Sequence, residues 1–162
     1  MWYALIWILG VVTGICIMWF VLKHITKIKE MQTKGLQKNV DMMNQWLILK
    51  HAAVSLDTEL EKRNIHTVAI YGMGICGRHL VRELEKTNVK VKLGMDVKVK
   101  EGYKDVPVFK LGKGDTSVDA VINTVSYDEQ NIIKKLRQYY TCPILNLGDL
   151  VYDSYPRDGS CS

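Results

Sequence analysis

Residues 72–77 read Gly-Met-Gly-Ile-Cys-Gly, and the surroundings of this G-x-G-x-x-G pattern restrict the fold more than any other part of the chain. The pattern alone is a weak signal. Here an apolar, β-branched run, His66-Thr-Val-Ala-Ile-Tyr71, leads into it. An amphipathic helix predicted over Arg78–Lys86 follows, with Leu80, Val81 and Leu84 inward. A second strand over Val89–Met95 ends at Asp96, 19 residues beyond Gly77. That is close to the ~20 at which an acid reaches a ribose hydroxyl. In such a turn Gly72 permits the tight bend, Gly74 lets the backbone approach a pyrophosphate, and Gly77 lets helix and strand pack closely. The N–H groups of Met73, Ile75, Cys76 and their neighbours then face the anion, helped by the helix dipole. The other reading is a βα turn that serves structure alone.

Downstream the alternation continues. A looser segment holds Val106-Pro-Val-Phe109 and a turn-rich Gly112-Lys-Gly-Asp115. Asp119–Val125 reads as a strand, and Asp128–Tyr140 as a helix with Ile132, Ile133 and Leu136 inward. Pro143–Leu147 reads as a last strand and Leu147–Tyr152 as a closing helical turn. Strands alternating with helices imply an α/β fold, a parallel sheet of about four or five strands with flanking helices on both faces.

The chain begins differently. Met1 to Leu22 carries no charge, and as a helix at ~1.5 Å per residue it spans roughly 30 Å, the thickness of a bilayer's hydrocarbon core. Trp2, Tyr3 and Trp7 lie near one end and Trp19 near the other, as interfacial aromatics do. A cleaved signal peptide is the poorer reading, because a basic start and a small-residue cleavage site are missing. Gly10 and Gly14 form a GxxxG pair, suited to helix pairing or simply tolerated. Lys23, Lys27, Lys29, Lys34 and Lys38, with Glu30 as the one acid, give residues 23–40 a net charge of +4 out of the chain's +5. The other 144 residues carry only +1, so a basic globular surface is not indicated and nucleic acid is not an expected partner. Lysines after the span predict a single-pass cell-membrane protein with its N-terminus outside and its bulk in the cytoplasm.

From Ile25 to His51 the apolar residues fall at helical spacing. Leu36, Val40, Met43 and Leu47 step by 4, 3 and 4, a heptad-like stripe for a partner helix or for packing back on the domain. Ser55 suits the N-cap of a short helix over Leu56–Arg63, with Asp57 and Glu59 in its first turn and Asn64 as its stop. The expected organisation is a transmembrane helix over 1–22, a basic helical stalk and lead-in helices over 23–64, the α/β domain over 65–152 and a flexible tail over 153–162.

Arg78 is placed to reach a phosphate or to sit exposed on its helix. Asp96, being an acid, suits a 2′-hydroxyl better than a 2′-phosphate, which favours NAD or a UDP-type nucleotide over NADP. Asn123, Thr124 and Ser126 lie at the carboxyl end of the strand after the crossover, where ligands sit in open α/β sheets or where strand ends are simply capped. Cys76 lies near a helix N-terminus, where a thiol pKa can fall, or fills space. Cys16, Cys76, Cys142 and Cys161 show no metal-ligand spacing, so neither a metal site nor a disulfide framework is expected, which fits a reducing compartment. Tyr127 has Asn131 four positions on, where a Tyr-xxx-Lys catalytic pair would have lysine. His24, His51, His66 and His79 are scattered without an evident partner, and no catalytic residue is nominated.

Val68-Ala-Ile-Tyr-Gly-Met-Gly-Ile-Cys-Gly-Arg-His-Leu80 resembles a bacterial family of small Rossmann-like domains from surface-polysaccharide and glycosyltransferase loci. These are similar to the nucleotide-sugar-binding N-terminal domains of sialic-acid and pilin-sugar acetyltransferases. Asn44–Lys50 with Ser55-Leu56, the Val118–Ile122 strand and Cys142–Leu147 extend the likeness over roughly Asn44 to Tyr152. The resemblance implies ligand-facing roles for Gly72, Gly74, Gly77 and Asp96. It does not carry over acyl transfer, because the β-helix that performs it in those enzymes has no counterpart in this sequence.

Three functions follow as expectations. The first is a membrane-anchored cytoplasmic module that binds a nucleotide or nucleotide-sugar, accessory to surface-polysaccharide synthesis, as a homodimer or beside a glycan-assembly protein. The second is an NAD-dependent oxidoreductase or sugar-modifying enzyme completed by a partner. The third is a ligand-free structural interaction domain.

Overall fold

The computed structural model describes residues 2–98, 102–114 and 117–155; Met1, Asp115 and most of the expected tail lie outside them. The chain divides into two compact units, Met1–Gln37 and Lys38–Ser162. The boundary falls within one helix, α1 (Trp2–His51).

In the first unit, the described side chains from Trp2 to Leu22 are exposed. The expectation of a membrane-spanning helix over Met1–Leu22 is not supported here. Among the described residues no helix is long and apolar enough to cross a membrane. Met1 and the side chains of residues 4–6, 8, 9 and 11, which belong to the expected span, are not among those described.

The second unit is an α/β layer structure. After α1 come α2 (Leu56–Lys62), β1 (Thr67–Tyr71), α3 (Ile75–Leu84), β2 (Lys90–Met95), β3 (Val108–Phe109), β4 (Ala120–Asn123), α4 (Glu129–Leu136), β5 (Ile144–Asn146) and α5 (Leu147–Asp153). All five strands are parallel, in the order β3-β2-β1-β4-β5. The chain therefore moves outward from β1 to β3, then returns to the other side of β1 for β4. The carboxyl ends of β1 and β4 flank this reversal, the place where open α/β sheets form a crevice.

Alternation along β1 sends Val68 and Ile70 to one face and Ala69 and Tyr71 to the other. The first face is covered by the end of α1 with α2, α3 and α5, through Met42, Trp46, Leu49, Leu60, Leu80 and Leu150. The second is covered by α4, through Ile132 and Leu136, with Tyr140 beyond it. The core thus begins upstream of residue 65, within the 23–64 segment expected to be stalk and lead-in helices. Among the described residues, the β2–β3 and β3–β4 connections contain no helix.

The heptad-like stripe does not pack back. Leu36, Val40, Met43 and Leu47 remain 66%, 59%, 38% and 55% exposed, while Met42, Trp46 and Leu49 enter the core. The buried set keeps the same 4-and-3 spacing one residue earlier, about 100° around the helix. Spacing fixes a stripe; it does not say which stripe the domain takes.

Ser55 occupies the N-cap position of α2, with φ −110° and ψ 145°, but its side chain makes no capping bond. The Leu56 N–H donates instead to Glu83 Oε1 at 3.1 Å. Asn64, with φ +56°, ends the lead-in as expected. Helix α3 starts at Ile75, three residues earlier than predicted, because Gly74 serves as its N-cap.

At the amino end of the sheet, Asp119 Oδ2 accepts from the His66 N–H (2.9 Å), the Thr67 N–H (2.7 Å) and the Thr67 hydroxyl (2.9 Å). These bonds, the His66 amide first, hold the Asp119 carboxyl below its ordinary pKa. A carboxyl depressed in the fold stabilises it above the unfolded pKa and loses that contribution as pH falls through the folded value. Asp119→Asn should therefore lower the melting temperature at pH 7 and leave it unchanged well below about pH 4. Melts at pH 7 and at pH 2 check this; an equal loss at both would contradict it.

Candidate functional site

Gly72 sits at the end of β1 with φ +95° and donates its N–H to Met95 O at 2.8 Å. A Cβ there would meet Thr124 Oγ1 and Val125 Cγ2, each at 2.7 Å. The Gly72 carbonyl is fixed from two sides. The Thr124 hydroxyl donates to it at 2.6 Å, and Gly77 presses against it so closely that any Cβ on Gly77 would overlap the oxygen. Two of the three motif glycines are thus required by the protein itself.

Gly74 differs. Its φ of −73° suits any residue, and a Cβ added to it meets nothing within 4 Å. It faces open space at the N-terminus of α3, where the first amides of a helix have no partner within it.

Asp96 closes the loop from the β2 side. Its Oδ2 accepts from the Met73 N–H at 2.9 Å and its Oδ1 from the Lys98 N–H at 2.9 Å. Each oxygen keeps a further lone pair for a hydroxyl. The Met73 side chain is buried over Gly94, where a Cβ would lie 2.7 Å from its sulfur.

The remaining candidates divide by what they already touch. Arg78 lies over the Tyr103 ring, 5.4 Å from its centroid, with Arg82 at 5.9 Å from the same ring. Its partner comes from the β2–β3 connection. Cys76 is buried in the core, as its space-filling reading expects, and burial pushes its thiol above the ordinary pKa.

Asn123 is 1% exposed and fully engaged. Its Oδ1 accepts from the Val125 N–H, while Nδ2 donates to Val125 O and to Asn146 Oδ1, all within 3.0–3.1 Å. Asn123 and Asn146 are register partners on β4 and β5. Both Asn123 and Thr124 brace the crevice floor through bonds within the protein.

Three exposed apolar residues stand just past strand ends; of these, Ile75 is a loop candidate in sequence, and Val97 and Tyr127 carry no expected binding role. Ile75, Val97 and Tyr127 follow the carboxyl ends of β1, β2 and β4 and are at least 60% exposed. Tyr71, nearly buried at the end of β1, has its hydroxyl pKa raised by burial first, then by the neighbouring Tyr127 and Asp96. The strand-end positions were the available signal.

Among the described residues, no group of His, Cys, Asp and Glu could hold a metal ion. The loop combines an open helix N-terminus, a carboxylate beside it and an apolar border, an arrangement suited to holding an anion next to a flat ring. Compared with known protein families, with curated proteins and with solved structures, the chain matches none.

Proposed function

We propose that the Lys38–Ser162 unit is a nucleotide- or nucleotide-sugar-binding module whose phosphate rests on the N-terminus of α3. The observation that carries this reading is Gly74. Its neighbours in the motif are fixed by contacts within the fold, whereas at Gly74, the N-cap of α3, Ser, Asn or Asp would serve the helix at least as well. A close-approaching ligand supplies the missing reason, since a side chain there would hold a phosphate away from the amides.

Calorimetric titration of the full-length chain with ADP, UDP-sugars and NAD tests the reading. Gly74→Val should lower the melting temperature only slightly, by an N-cap loss of about 1 kcal/mol or less, while weakening nucleotide binding at least tenfold, about 1.4 kcal/mol. Absence of binding to all three at millimolar concentration would sink the proposal.

Membrane attachment and a place in surface-glycan assembly belong to the same proposal. The first rests on the charge-free sequence Met1–Leu22, its described exposed side chains and the lysines that follow. The second rests on the resemblance carried by Val68–Leu80. Flotation of the full-length chain with liposomes tests the attachment; recovery in the soluble fraction alone would argue against it.

A further inference from the structure

The crevice at the switch point has two sides, and one of them is filled. Lys38, Asn39 and Met42 of α1 close over Thr124, Ser126 and Glu129 at the carboxyl end of β4 and the start of α4, leaving a cavity of about 20 Å³. That is room for about one water, whereas a small-molecule site takes roughly 300 Å³ or more. The cover is held at both ends. Lys38 Nζ donates to Glu129 Oε1 at 2.6 Å, and Met42 is 5% exposed within the core. Beneath it, Asn123 and Asn146 are locked to each other.

In a sheet of this order a dinucleotide lies across the reversal, one nucleoside over the β1–β2 side and the other over the β4–β5 side. Among the described residues, the β1–β2 side, with Gly74 and Asp96, is the side left for a ligand. We infer that this site accepts a ligand with a single nucleoside, a nucleoside mono- or diphosphate or its sugar ester. Lys38, Asn39 and Met42 are then specificity-determining residues that exclude the second nucleoside of a dinucleotide. This rests on the nucleotide-binding reading above and narrows it: NAD has no place for its nicotinamide riboside.

The test compares ADP, UDP and NAD on the full-length chain by calorimetry. Binding of NAD no tighter than ADP, within about threefold, is the expected result; binding of UDP without NAD supports the inference equally. Opening the cover with Lys38→Glu, which repels Glu129 and leaves the core intact, should raise NAD affinity relative to ADP severalfold. Lys38→Glu/Met42→Ala should raise it about tenfold with ADP binding unchanged. A tenfold preference of the unmodified chain for NAD over ADP overturns the inference and leaves the binding module standing. Failure of all three nucleotides to bind overturns both.

Discussion

Gly77→Ala should destabilise the α/β unit by about 3 kcal/mol or more, because its added Cβ makes the tightest contact of the glycines described in the Lys38–Ser162 unit. Overpacking in a core typically costs 1–3 kcal/mol when side chains can yield. At Gly77 the obstacle is the Gly72 carbonyl oxygen, which is backbone, and the added Cβ would also lie 3.4 Å from Ile70 Cγ2. That carbonyl cannot retreat, because the Thr124 hydroxyl holds it at 2.6 Å and Gly72 is already at φ +95°. Relief requires separating α3 from β1, which exposes Leu80 and Leu84. Urea denaturation gives the value directly, and Gly74→Ala provides the control, its loss limited to an N-cap share of about 1 kcal/mol or less. Equal stability of the two variants would show that helix and strand do not meet as described.

Glu83→Ala is expected to cost about 3 kcal/mol through a different cause. The Glu83 side chain is 3% exposed. Its Oε2 accepts from the Trp46 indole N–H at 2.6 Å, and its Oε1 from the Leu56 N–H at 3.1 Å and from Lys50 Nζ at 2.9 Å. One carboxylate on α3 therefore ties the end of α1 and the start of α2 to the sheet layer. Alanine leaves two partly buried N–H donors without acceptors, each worth roughly 1–3 kcal/mol. Lys50 is half exposed and recovers its hydration, so its share is small. Glu83→Gln keeps one carbonyl acceptor and turns an amide donor toward the others, so its loss should be intermediate. A shift in the urea midpoint worth less than 1 kcal/mol for Glu83→Ala would remove Glu83 from this role.

The contrast between these two positions shows where sequence is informative. The positive φ of Gly72 and its contact with Gly77 were legible because they are local, strand, turn and helix meeting within a few residues, whereas the approach of Thr124 and Val125 to Gly72 was not. The αL stop at Asn64 and the alternating strands were legible because they too are local. The cap on α2 was not, because the Leu56 amide takes an oxygen 27 residues away and leaves Ser55 unused. The choice left open for the Leu36–Leu47 stripe could not be made from sequence, because Met42, Trp46 and Leu49, which enter the core, repeat at the same interval. Arg78 is exposed on its helix, one of its two expected placements, but its place over Tyr103 was not legible because that connection has no regular periodicity. The cover over β4 was also invisible, since Lys38 and Glu129 are 91 residues apart.

The Glu83 cluster also has an optical side. Of the four tryptophans, Trp2, Trp7 and Trp19 are well exposed, and Trp46 is the one buried, with its indole proton on a carboxylate. With the other three replaced by phenylalanine, the emission of the chain would come from the contact between α1 and α3. Its wavelength would report, in real time, whether the cover over the crevice is seated.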